Sequence, residues 1–226
     1  MKRTNRLLFS VAASFAMTAG LAMAQQKGRV PPFLIRFPSV EIVHFAALEA
    51  VQKDLGVSDE VARKLTLLRE DYRATYQKEC QDADILQSPG PVNAAIPKLR
   101  EIGPKLDDEF IPKVNELLSA DQQKRFQQIR FQGRLRNRGP TALLDVASEL
   151  KLTDDQQQQL NALTADFRQD QTRLAVGRAS KESTEGLRKV REEYATKAAE
   201  MLTAAQKATL DKLKGSDFDA SQLVVR

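Results

Sequence analysis

The chain has 226 residues, with 35 Lys and Arg against 30 Asp and Glu, one His, one Cys and no Trp. Its formal net charge of +5 owes much to Lys2, Arg3 and Arg6; beyond Ala24, 32 basic side chains face 30 acidic ones, a net of +2. A nucleic-acid role has no footing in so small an excess, and Cys80, alone, excludes an intramolecular disulfide framework.

In chain order, the first 24 residues predict a signal peptide. Basic residues precede an apolar run from Leu7 to Leu21, and Ala22-Met23-Ala24 supplies small residues for cleavage after Ala24. The competing reading is an uncleaved anchor, although the run is short for a span of about 20 residues. The sequence thus points to a protein that is periplasmic or otherwise exported, and soluble after cleavage. Residues 25–38 are apolar but broken by Pro31, Pro32 and Pro38, so an extended arm is expected. It either lies on the folded body or contacts a client or a second subunit.

Helical signals follow. Ser39 reads as the cap of a short helix carrying Val40, Val43, Ala47 and Val51 and ending at Gly56. Ser58 caps a long helix with Val61, Leu65, Leu68, Tyr72 and Tyr76 on one face. After a turn at Ser88-Pro89-Gly90-Pro91, a second long stretch carries Ile96, Leu99, Leu106, Phe110, Val114 and Leu117, with Pro104 and Pro112 expected to bend or interrupt it. A helix capped by Ser119 turns Phe126 and Ile129 inward and is expected to break at Gly133.

The second half echoes the first. A shift of 95 pairs Leu55 with Leu150, Ser58 with Thr153, Leu65 with Leu160 and Tyr72 with Phe167; a shift of 84 pairs Phe110 with Tyr194, Leu118 with Leu202 and Gln122 with Gln206. The fold class expected is therefore all-α, a tandem repeat of an antiparallel long-helix hairpin with short flanking helices. Its first repeat spans 39–133, its second 139–215, and a polar tail covers 216–226.

One pattern recurs at the helix starts: Leu118-Ser119-x-x-Gln122, Leu152-Thr153-x-x-Gln156 and Leu202-Thr203-x-x-Gln206, with Ser58 opening a fourth in which Val61 stands where the others have Gln. A Ser or Thr cap accepts a bond from a free N–H of the first turn, and Gln three residues on reaches back to the cap's own N–H. The preceding leucines are expected to point into a core. These paired Leu-Ser/Thr-x-x-Gln boxes behind a leader resemble the LTXXQ-motif proteins of the Spy/CpxP type. The resemblance implies an exported, all-helical periplasmic protein, either an ATP-independent chaperone or an envelope-stress regulator, with metal-responsive relatives. It also implies a dimeric cradle, so two arrangements stay open: two units paired within one chain, or a homodimer.

No motif for catalysis or a phosphate site is present, so no enzyme and no cofactor is expected. A metal site is not expected either, since His44 and Cys80 fall in different helices; Cys80 with Asp82 and Asp84 reads as a polar helix end. One basic cluster stands out: Lys124, Arg125, Arg130, Arg134, Arg136 and Arg138, with Phe131 among them. It is either a solvated join between the repeats or a surface that attracts unfolded or acidic clients. The function expected is non-enzymatic protein binding as a holdase; the alternatives are a sensor or inhibitor of one envelope partner, and a metal-responsive protein.

Overall fold

A computed structural model describes residues 38–83, 85, 95–176 and 181–223. The expected leader, the arm up to Phe37, the turn at Ser88–Pro91 and the loop at Gly177–Ser180 lie outside the described residues. Among the described residues the protein is all-α, with no strand.

The expected first short helix is in fact two. α1 (Pro38–Ala46) already contains Ser39, and α2 (Glu49–Asp54) starts after a break at Ala47 and Leu48. The break lets both faces of the corner contribute to one core: Val43, Phe45 and Ala46 from α1, Val51 from α2. α3 (Asp59–Asp82) begins where Ser58 Oγ accepts from the Val61 N–H at 3.3 Å, with Asp59 and Glu60 in the first turn, where the helix dipole favours negative charge. Leu65, Tyr72 and Cys80 are buried, with Val61, Leu68 and Tyr76 packed beside them, as helical spacing requires.

α4 (Ala95–Leu117) runs through both prolines without interruption. Pro104 and Pro112 are exposed, as are Arg100 and Asp108, whose carbonyls lose their helical donors. Water can therefore replace the two missing bonds, while Leu99, Ile102, Leu106, Phe110 and Val114 hold the opposite face in the core. α3 and α4 pack as an antiparallel hairpin: Lys105 bridges Glu79 at 3.6 Å and Lys98 donates to the Ala83 carbonyl near the turn. α1 lies across this hairpin, chiefly on α4.

α5 (Ala120–Arg138) extends past the break expected at Gly133, which is buried inside the helix. The helix ends at Gly139, whose φ of 52° and ψ of −131° are open to glycine alone among common residues. At 19 residues α5 is not the short flanking helix the repeat predicts, and the unit boundary at 133 falls within it. α6 (Thr141–Leu144) and the turns after it bring Leu143, Leu150 and Leu152 into a second core. That core is completed by α7 (Asp154–Val176) and α8 (Lys181–Glu200), a second antiparallel hairpin, and by α9 (Ala204–Lys214).

One ring contact recurs in both hairpins at positions that the sequence shifts relate. Tyr72 packs edge-on against Phe110 at 5.0 Å, and Phe167 packs against Tyr194 at 5.3 Å. The expected polar tail behaves differently. After α9 the chain returns to the first half, makes a 3-10 turn (Ala220–Gln222), and buries Leu223 in the first core with Phe218 and Ala220 beside it.

Candidate functional site

The Leu-Ser/Thr-x-x-Gln boxes form as the sequence predicts, with Leu118, Leu152 and Leu202 buried behind them. Ser119 and Thr203 each head a reciprocal capping box, and Thr153 exchanges the same two bonds with Gln156 at 3.1 and 3.2 Å. The glutamines also do something the caps do not require. Gln156 Nε2 donates to Gln206 Oε1 at 2.9 Å, and Gln206 Nε2 returns a bond to Gln156 Oε1 at 2.8 Å. Their second N–H groups reach the Met201 and Lys151 carbonyls, so both amides use all their donors and acceptors. The boxes thereby clamp the starts of α7 and α9 together.

In the first half Gln122 donates to the Leu55 carbonyl at 3.2 Å, but Val61 holds the place that corresponds to Gln156. Val61→Gln is expected to add a reciprocal cap and an amide partner, stabilising the chain by about 1 kcal/mol, or about 2–4 °C in Tm. A lower Tm in thermal unfolding would show that the apolar contact of Val61 matters more.

The structure divides the basic cluster. Arg125 makes a bidentate pair with Asp54, at 2.6 and 2.9 Å. Arg130 is buried and donates to Glu41 at 3.0 Å and to Gln127 at 2.8 Å; burial draws its guanidinium below the ordinary value while Glu41 opposes the shift. Arg134 lies 4.0 Å from both Glu41 and Asp145, and Arg138 pairs with Asp145. Phe131 is buried. Thus four arginines tie α5 to α1, to the last residue of α2 and to the turn after α6; only Lys124 and Arg136 of the cluster are exposed. A run of six cations reads as a surface until the acids that meet it, Glu41, Asp54 and Asp145, are brought in from distant positions.

Cys80 is fully buried, and burial pushes its thiol above the ordinary range; Asp84 lies outside the described residues. His44 is also buried, edge-on to Tyr72 at 5.9 Å, and its Nε2 accepts from Arg73. Among the described residues no group of three or more His, Cys, Asp or Glu side chains is placed to hold a metal ion. No helix described is long and apolar enough to cross a membrane.

A different surface holds a small apolar spot. Leu67 is 63% exposed and lies in a shallow open groove between α3 and α4, with Leu68 and Leu117 on its floor and Lys64, Asp71, Lys113 and Glu116 at its rim. Lys64 is tied to Glu60 at 2.6 Å and Lys113 to Glu109 at 2.8 Å, which steadies a rim of both signs. No motif or periodicity marks this spot in the sequence. Its signal was Leu67 itself, which falls on the polar side of the stripe defined by Leu65, Leu68 and Tyr72.

Fold and groove together define an all-α protein of two helical hairpins joined by one long helix, with an apolar spot open at the first hairpin. Comparison of the chain with protein-family models, with curated proteins and with solved structures found no match.

Proposed function

We propose that the chain is an exported, non-enzymatic protein that binds unfolded client proteins, working as an ATP-independent holdase. The observation that carries this reading is the groove at Leu67, where one exposed leucine is framed by two cations and two anions. Such a surface gains from covering apolar segments, while its mixed rim tolerates clients of either charge. The leader and the resemblance to LTXXQ-motif proteins support the same reading. Arg125, Arg130, Arg134 and Arg138 are committed to internal pairs, so electrostatic capture by this cluster falls chiefly to Lys124 and Arg136.

The test is suppression of aggregation of an unfolding protein by residues 25–226 at equimolar ratio without ATP. Leu67→Ser is expected to weaken protection about fivefold, the equivalent of losing about 1 kcal/mol of apolar contact, with helicity by circular dichroism unchanged. Protection untouched by the substitution would remove the groove from the mechanism. Recovery of one stoichiometric partner from envelope extracts, in place of a broad set, would favour a dedicated sensor or inhibitor.

A further inference from the structure

The segment after α9 is held on α5 in an unusual way. Gln132, buried within α5, donates from Nε2 to the carbonyls of Lys214 and Ser216, both at 2.8 Å, and accepts the Phe218 N–H on Oε1 at 2.9 Å. Arg125 Nη1 adds a bond to the Ser216 carbonyl at 2.8 Å. Three of these bonds address the backbone of Ser216 and Phe218 and the fourth the last carbonyl of α9; none addresses a side chain of the segment. They would form equally with another sequence.

The deepest side-chain contact is made in one notch, with Phe218 and Ala220 packed partly buried beside it. Gly133 leaves a hole in the α5 surface, and Leu223 fills it: a Cβ on residue 133 would stand 2.6 Å from Leu223 Cδ1 and 3.7 Å from the Phe45 ring. The notch accepts one apolar side chain several residues beyond the point where the backbone is read.

We propose that this face of α5 and α1 is a second docking surface for apolar segments of unfolded clients, kept closed by residues 216–223 acting as a built-in competitor. Backbone readout with one apolar notch suits a ligand of variable sequence, which is what an unfolded chain presents. The inference rests on the client-binding reading above. Occupancy of the face by the chain's own segment lowers apparent affinity in proportion to the fraction of molecules that are open.

Two substitutions in the full chain separate a gate from mere packing. Leu223→Ser empties the notch and leaves it open. Gly133→Leu displaces Leu223 but fills the notch from within, in a helix where leucine is favoured over glycine. Hydrogen exchange at the Phe218 amide reads release of the segment, and binding of a permanently unfolded, reduced and alkylated protein reads the face. Faster exchange is expected in both variants, with probe affinity raised at least about threefold in Leu223→Ser alone. A free peptide of residues 216–223 should reverse that gain. Equal affinity in the two variants, no gain in Leu223→Ser, or an unchanged Phe218 amide would overturn the proposal. Failure of every form, the unaltered chain included, to bind or protect any client would instead overturn the holdase reading.

Discussion

Phe110→Ala should cost about 3–5 kcal/mol of unfolding free energy, measured by denaturant titration. Phe110 is fully buried and packs edge-on against Tyr72 at 5.0 Å, which in turn meets His44 and stacks on Tyr76 at 6.4 Å. Removing the ring takes away its burial and leaves Tyr72 without its edge-on partner. α1, α3 and α4 wall this space, and a hairpin clamped by a third helix has little freedom to close over a hole. A loss below about 1.5 kcal/mol would show that the helices do shift inward, and would make the first core softer than its packing suggests.

Gly139→Ala comes next, at about 2–5 kcal/mol, for two separable reasons. The backbone there, at φ 52° and ψ −131°, strains any residue with a Cβ. A Cβ would also stand 2.9 Å from the Phe167 ring, at the point where α5 hands the chain to the second core. Phe167→Leu in the same chain removes the clash but not the backbone strain. Unfolding of the single and double variants divides the two terms: partial rescue assigns the remainder to the backbone. Unaltered stability in the single variant would show that the chain has another way to end α5.

Most of the helical plan was legible because it rests on local chemistry. A hydroxyl cap with glutamine three residues on needs only its own turn to be satisfied, and Ser119, Thr153 and Thr203 appear where the pattern places them. Leu65, Tyr72, Phe110, Leu160 and Phe167 are buried because period alone decides which side of a long helix is apolar. What was not legible depends on contacts between distant positions. Pro104 and Pro112 leave α4 intact because tertiary packing chose which side of the helix faces water. Gly133 reads as a stop, yet it is a notch for Leu223, 90 residues later. The basic run of α5 reads as a surface, yet its acids lie in α1, at the end of α2 and just after α6. The groove at Leu67 leaves no mark in the sequence, because a single leucine among charges is common on any helix.

Burial of Leu223 against Phe45 and Gly133 also bears on the order in which the chain is made. Synthesis delivers the first hairpin early, and domains generally begin folding as they emerge. Here the first core lacks part of its wall until position 223 has been made, because the side chain that fills the α5 notch lies 90 residues beyond Gly133. The nascent first half therefore stays less stable than its finished counterpart. Its completion marks the moment at which the late residues have arrived.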